Sequence, residues 1–132
     1  MTEAMKKAMA VQNGNSFALH NHIVLEEAEN GRVVLSMKIH EESKNPLGIV
    51  HGGAFYTMAD SAAGIAANLG ERRYVTRSST MHYLANCREG TVRAEAKIIH
   101  GGRSTCIVQA DVRSETGKLL ATGEFSFFSL ER

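Results

Sequence analysis

One segment of small residues, over positions 52–69, constrains the fold of this chain more than any other feature. It begins at Gly52, is followed by Gly70, and most of its interior positions are alanine, glycine or serine. The pattern predicts a long helix with so little side-chain bulk that its backbone can pack close to a sheet. Because the segment lacks the single apolar stripe of a surface helix, we expect it to be buried in a tight space.

Strands are predicted on both sides of this helix, because apolar and polar residues alternate there with a period of two. Before the helix, a run over residues 17–28 ends at the hairpin signal Asn30-Gly31, and an alternating strand follows over residues 33–39. Gly101-Gly102 is predicted to form a two-residue hairpin turn later in the chain. Four strands follow the helix, over residues 75–84, 92–98, 106–112 and 119–128.

This order of elements, β β α β β β β after a short helix within residues 1–14, predicts an α+β fold. Thr2 is expected to cap the short helix. Because the chain has only 132 residues, we expect a single domain over residues 1–132 with one core. An antiparallel sheet must then curl around the long helix to cover it.

Composition excludes several classes of function. The formal net charge is +1 with acids and bases interspersed, so no basic surface for nucleic acid is predicted. The N-terminal residues contain no apolar segment typical of a signal peptide or a membrane span. Cys87 and Cys106 form no disulfide framework, which favours a reducing, cytoplasmic location. Cys106 lies on the apolar side of its strand and is expected to be a core thiol.

The six histidines do not predict a metal site. His20 and His22 are spaced to lie on one face of a strand, but no cluster of cysteines or carboxylates joins them. We therefore expect solvated surface imidazoles and neither a metal ion nor another cofactor. The remaining histidines are scattered along the chain at His40, His51, His82 and His100.

Two glycines at the start of the long helix are the first candidates for a functional role. Gly52 and Gly53 follow His51 where backbone N–H groups lack helical partners and the helix dipole favours negative charge. Backbone amides in such a position can form an oxyanion hole. The alternative is that the glycines only permit close packing between the helix and the sheet.

Asp60 is the unusual residue of the helix, because it is a carboxylate among alanines and methionine, and burying it unpaired is costly. The alternative is that it faces solvent or bonds to the hydroxyl of Ser61 or Thr57. Asp60 lies on nearly the same helix face as Gly53 and about 10 Å further along the axis. One substrate carbonyl cannot contact both residues. If both serve one reaction, this spacing predicts a dimer whose sites combine residues of both copies.

His51-Gly52-Gly53 followed by Asp60 and an alanine-rich helix, in this strand order, resembles the phenylacetic-acid-degradation (PaaI-like) family of hotdog thioesterases. The resemblance extends from about residue 17 to residue 128. It implies the hotdog fold, in which a curled antiparallel sheet wraps around one central helix. It also implies an acyl-CoA thioesterase that releases a carboxylic acid and coenzyme A, needs no cofactor, and forms a homodimer or homotetramer.

The resemblance implies roles for individual residues. Asp60 would be the general base that activates water, or the nucleophile that forms an acyl-enzyme anhydride. The Gly53 amide, together with that of Gly52, would polarise the thioester carbonyl. His51 would shape the site as a structural hydrogen-bonding group.

Two further catalytic residues are implied by the same resemblance. Asn45 would help to orient the thioester or the water, and Thr76 would hold the attacking water. The alternative for Thr76 is an ordinary threonine in a strand. Substrate-binding positions are implied for the β-turn Gly101, Gly102, Arg103 and Ser104, and for Arg77 and Ser78 beside the acyl pocket.

The turn has two interpretations. In the first, Arg103 pairs with a phosphate of coenzyme A. In the second, the two glycines only form the hairpin and Arg103 is a solvated tip. The sequence also departs from the family pattern, since residues 83–87 read Tyr-Leu-Ala-Asn-Cys where relatives often have an apolar residue followed by Arg-Pro. This departure leaves the acyl group open.

Two other functions stay open at this point. One is a hotdog enoyl-CoA hydratase or dehydratase, although the acidic residue that precedes Asn-Pro in those enzymes is absent before Asn45. The other is a non-catalytic protein that binds acyl-CoA. Hydration of an enoyl-CoA, or binding without turnover, would distinguish them from a thioesterase.

Overall fold

The computed structural model describes residues 1–131, and one antiparallel sheet with one long helix organises them. The strand order across this sheet is β1-β2-β4-β5-β6-β3. The predicted order β β α β β β β is confirmed, with a second short helix added near the N-terminus. The elements are α1 Glu3–Asn13, α2 Ser16–His20, β1 Ile23–Glu29, β2 Arg32–Lys38, α3 Gly52–Ala67, β3 Tyr74–Tyr83, β4 Thr91–Gly101, β5 Thr105–Arg113 and β6 Leu119–Ser129.

The long helix α3 packs on one face of the sheet, mainly against β2, β4 and β5. Inward positions of the strands alternate with outward ones, as the period of two predicts. Cys106 is 3% exposed, which confirms the expected core thiol. Small side chains let the helix backbone approach the sheet closely. The buried side of α3 consists of Phe55, Met58, Ala59, Ala62, Ala63, Ile65, Ala66 and Ala67.

The opposite side of α3 and the adjoining strand β3 are left uncovered by the described chain. Gly53, Thr57, Asp60 and Gly64 lie three or four residues apart on this side and are all at least partly exposed. β3 lies at one edge of the sheet, and none of its residues is buried. We call this side of α3, together with β3, the open face.

The N-terminal region is partly as predicted. The Thr2 hydroxyl accepts a hydrogen bond from the Met5 N–H at 3.1 Å, which confirms the expected cap of α1. The run over residues 17–28 is not one strand, because its first part forms α2. That helix is capped by Asn15, whose Oδ1 accepts from the Ala18 N–H at 3.1 Å. Periodicity alone cannot distinguish so short a helix from a strand.

Two further expectations were wrong. His20 ends α2, and His22 has a positive φ of 62° before β1, so the two do not share a strand face. The His22 ring instead stacks on His40, with centroids 4.0 Å apart. Gly101 is the last residue of β4, so the turn that follows consists of residues 102–104 and not of the two glycines.

Among residues 1–131, no group of three or more His, Cys, Asp or Glu side chains is arranged to hold a metal ion. None of the helices in the described part is long and apolar enough to cross a membrane.

Candidate active site

Asp60 lies on the open face, half-buried, beside the first residues of β3. Its Oδ1 accepts a hydrogen bond of 2.8 Å from the Thr76 hydroxyl. In the described residues neither Ser61 nor Thr57 is hydrogen-bonded to this carboxylate. The Ser61 hydroxyl accepts from Asn15 Nδ2 at 3.3 Å, and the Thr57 hydroxyl donates to the Gly53 C=O at 2.8 Å. The structure therefore brings together two of the residues that the resemblance implied, Asp60 and Thr76.

The end of α3 fixes where Thr76 lies. Asn68 caps the helix, and its side chain bonds to both backbone groups of Tyr74. Asn68 Oδ1 accepts from the Tyr74 N–H at 2.8 Å, and Asn68 Nδ2 donates to the Tyr74 C=O at 3.1 Å. This clamp holds the start of β3 against the helix, which places Thr76 within reach of Asp60.

Burial raises the pKa of Asp60 above its ordinary value, and the hydrogen bond from Thr76 opposes part of that rise. Burial acts by removing water from the charged form, whereas the hydroxyl donor stabilises that form. A carboxylate with a raised pKa is a stronger proton acceptor once it is ionised. The pair can therefore take a proton from a bound water.

His51 and the two glycines form the N-terminus of α3. His51 is the N-cap, and its Nδ1 accepts a 2.8 Å hydrogen bond from the Gly53 N–H. The Gly52 N–H has no hydrogen-bond acceptor within residues 1–131. The resemblance implied both amides for an oxyanion hole. The Gly52 N–H is free in the described chain, whereas the Gly53 N–H is hydrogen-bonded to the His51 ring.

Asn45 lies in the loop that leads to His51. Its Oδ1 accepts from the Leu47 N–H at 2.9 Å, and its backbone N–H donates to the Ile49 C=O at 2.8 Å. Asn45 Nδ2 has no acceptor in the described part of the chain. The residue therefore stabilises the loop and keeps two N–H donors for another molecule.

The carboxylate and the free amide lie at different places along α3. Asp60 is eight residues after Gly52, which corresponds to about 12 Å of helix axis. Catalytic contacts extend to about 3 Å. Asp60 and Gly52 of one copy therefore cannot contact the same carbonyl group.

The turn at residues 102–104 lies near the C-terminal end of α3. The Tyr74 hydroxyl donates to the Gly102 C=O at 3.0 Å, and the Ser104 C=O accepts from the Ser129 N–H at 2.8 Å. Thr76 and Cys106 both pair with Phe127 from opposite sides, so the turn lies at the same end of the sheet as Thr76, two strands away. Arg103 is exposed and has no ion-pair partner among residues 1–131.

Arg77 and Ser78 are not brought to Asp60. The Arg77 guanidinium lies 5.9 Å from the centroid of the Phe128 ring, and its Nη2 donates to the Ser126 hydroxyl at 3.3 Å. Phe125 and Phe127 fill the core, so Ser126 and Phe128 point to the outer side of the sheet. Ser78 pairs with Ser126 across the strands and shares that outer side.

Tyr83 and Tyr56 lie beside the candidate site, and the sequence did not indicate them. A Cβ on Gly52 would lie 3.3 Å from Cε1 of Tyr83, so the Tyr83 ring lies beside the free amide. The Tyr56 hydroxyl is hydrogen-bonded to Ser79 in β3. Burial raises the pKa of Tyr83, and Tyr56 adds to that rise. The only available signal was the spacing of Tyr56, four residues before Asp60 on the same helix face.

Comparison with known proteins places the chain in a family. Residues 47–121 match the family model described as Thioesterase superfamily. A 1,4-dihydroxy-2-naphthoyl-CoA hydrolase of Listeria monocytogenes is 31% identical over 101 residues, which covers 74% of this chain and 82% of the relative. Acyl-coenzyme A thioesterase 13 of Homo sapiens is 28% identical over 129 residues, which covers 93% and 92% of the two chains.

The solved structures agree on the fold. The PaaI protein from the phenylacetic acid degradation operon of Escherichia coli matches with a TM-score of 0.93 at 22% identity, covering 98% of this chain and 94% of that one. The predicted hotdog fold is confirmed. Fold and family model together define an enzyme of the thioester hydrolase class. The chain belongs to the thioesterase superfamily, as its resemblance to the PaaI-like enzymes implied.

Proposed function

We propose that this chain hydrolyses acyl-CoA thioesters to a free carboxylic acid and coenzyme A. The observation that carries the proposal is the contact between Thr76 and the half-buried Asp60 carboxylate, on a face that nothing in the described chain covers. The names of two relatives, a naphthoyl-CoA hydrolase and an acyl-coenzyme A thioesterase, support the substrate class.

In the proposed reaction, Asp60 and Thr76 hold the attacking water. The Thr76 hydrogen is donated to Asp60, so the Thr76 oxygen can accept one hydrogen of the water while Asp60 takes the other. The water oxygen attacks the thioester carbon, and the carbonyl oxygen becomes negative. The bond to sulfur then breaks, and the thiolate receives the proton from Asp60. The alternative is direct attack by Asp60 to form an anhydride, which water then hydrolyses.

The Gly52 N–H of a second copy would stabilise the negative carbonyl oxygen, because it is the amide that the described chain leaves free. The Gly53 N–H would contribute as a second donor, shared with the His51 ring. Asn45 Nδ2 would orient the thioester from the preceding loop.

A homodimer built on the open face would supply that second copy. An exposed edge strand carries unpaired N–H and C=O groups that readily pair with another strand. Two β3 strands related by a two-fold axis would extend the sheet and set two α3 helices antiparallel, with Asp60 of each facing Gly52 of the other. Sedimentation analysis would distinguish this dimer from a homotetramer of paired dimers.

The remainder of the substrate would lie near the turn at residues 102–104. Gly101, Gly102 and Ser104 would contact the pantetheine, and the unpaired Arg103 would be available to a phosphate. The nucleotide is far from the thioester in coenzyme A. Arg77 and Ser78 lie on the outer side of the sheet, so they would contact only the nucleotide end of coenzyme A.

The proposed reaction consumes water alone besides the thioester, so we propose no metal or redox cofactor. The thiols of Cys87 and Cys106 are free, which is compatible with the proposed cytoplasmic location.

The experiment that tests the proposal is a thiol-release assay with short, medium, long and aromatic acyl-CoAs. We expect release of coenzyme A well above the rate in buffer for at least one class. Hydration of an enoyl-CoA in the absence of thiol release would favour a hydratase. Tight binding of acyl-CoA without turnover would favour a binding protein.

Replacing Thr76 with valine is expected to lower kcat/KM about tenfold at neutral pH, because a hydrogen bond to a charged group is lost. Without this donor the pKa of Asp60 rises further, so the loss of activity on acidification begins at a higher pH. The pH profile of kcat/KM measures both effects. Thr76→Ser is the matched control and should retain the wild-type profile. An unshifted profile in Thr76→Val would remove Thr76 from the site.

A further inference from the structure

We infer that Asn86 is a positioning residue that sets the direction of the Gly52 amide, an inference that rests on the proposed function of that amide. The Asn86 side chain bonds to both backbone groups of Val50, a residue that is fully buried. Its Nδ2 donates to the Val50 C=O at 3.0 Å, and its Oδ1 accepts from the Val50 N–H at 3.0 Å. The Val50 N–H also reaches the Cys87 C=O at 3.3 Å.

The orientation of the Asn86 amide is fixed by its contacts. Besides the Val50 N–H, Oδ1 accepts from the Cys87 N–H at 2.7 Å. Reversing the amide would set Nδ2 against two N–H groups and Oδ1 against a carbonyl. Aspartate at this position would therefore keep the acceptor and lose the donor.

The peptide between Val50 and His51 is held at both of its polar atoms. Its C=O accepts from Asn86 Nδ2, and its N–H donates to the Ser43 C=O at 2.8 Å. The next peptide along the chain carries the Gly52 N–H, which has no partner of its own in the described structure. The direction of that N–H thus depends on the fixed peptide before it and on the start of the helix.

Asn86 acts through the backbone of residues 50–51 and is not assigned a contact with substrate. A donor displaced by about 1 Å can cost about 100-fold in rate. Asn86 belongs to the same segment, residues 83–87, as Tyr83, whose ring lies beside Gly52. This is the segment in which the sequence departs from the family pattern, and the hydrogen bonds between Asn86 and Val50 give that departure a role in the site.

The test compares Asn86→Ala and Asn86→Asp with the wild type in the thiol-release assay. We expect kcat to fall about 10-fold to 100-fold in both, with KM changed by less than about twofold. For Asn86→Asp, the ratio of its kcat to that of the wild type should rise as the pH is lowered, because a protonated carboxyl can donate to the Val50 C=O again. A merely structural role would change the Tm of this variant with pH and leave the kcat ratio unchanged.

Gln12→Ala is the control for stability alone. Gln12 is also a buried amide that donates to a backbone carbonyl, that of Ile23 at 2.8 Å, but it lies in α1. Its replacement should lower Tm and leave kcat unchanged. If Asn86→Ala lowered Tm by a similar amount and left kcat within about twofold of the wild type, the positioning role would be overturned.

Amide hydrogen exchange gives a readout that does not need activity. Exchange at Val50 and His51 should be faster in Asn86→Ala than in the wild type. The Val50 N–H loses the acceptor Oδ1, and the peptide that carries the His51 N–H loses the restraint on its C=O. Unchanged exchange would overturn the inference. If the wild type hydrolysed no thioester, the proposed function would fail, whereas faster exchange at His51 would still support positioning by Asn86.

Discussion

Replacing Asp60 with asparagine is expected to lower kcat by about three orders of magnitude or more, because the amide neither accepts a proton nor attacks a carbonyl. Asparagine has nearly the same shape, and its Oδ1 can still accept the hydrogen bond from Thr76. The site should therefore keep its geometry and lose its chemistry. Single-turnover and steady-state release of coenzyme A measure the loss.

The same variant should be at least as stable as the wild type at neutral pH. Burial raises the pKa of Asp60 in the folded chain, so its contribution to stability is fully present at a pH below the unfolded pKa and is lost as the pH rises through the folded value. Asparagine carries no charge and avoids this loss. A raised or unchanged Tm together with inactivity would show that the variant is folded, and near-full kcat would exclude Asp60 as base or nucleophile.

Replacing Gly52 with proline is expected to lower kcat by about 100-fold to 1000-fold, the usual cost of removing one oxyanion-hole donor. Gly52 is the first residue of α3, where proline is well tolerated because this N–H has no helical partner. The preceding residue, His51, already has φ −64° and ψ 136°, the conformation that a following proline requires. The substitution thus deletes the N–H with little change in the helix.

Gly52→Ala is the matched control for Gly52→Pro. Alanine keeps the N–H and adds the same Cβ, which would lie 3.3 Å from the exposed and movable Tyr83 ring. We expect Gly52→Ala to retain most of its activity. Equal losses in the two variants would mean that the Cβ and not the missing N–H is responsible, and the amide would then have no catalytic role.

The fold was predictable from the sequence because its signals are local. The alternation in β5 and the small residues of α3 each specify an element without reference to distant residues. The order of the strands across the sheet was not predicted, since no local pattern shows that β3 pairs with β6 at the edge of the sheet. The helix at residues 16–20 was missed because five residues are too few to show a helical period.

The candidate site was predictable only in part. Asp60 is conspicuous as a carboxylate among alanines, but nothing in the sequence near it indicates Thr76, which lies 16 residues away. The pairing of Asn86 with Val50 joins residues 36 positions apart, and it had no sequence signal at all. Side-chain contacts of this kind depend on how the strands are folded together.

Co-expression of Asp60→Asn with Gly52→Pro tests most directly whether the site combines the carboxylate of one copy with the amide of the other. In a dimer with shared sites, half of the dimers are mixed, and each mixed dimer has one intact site. The mixture should therefore recover about a quarter of the wild-type kcat. Activity no greater than that of the two variants alone would contradict the shared site.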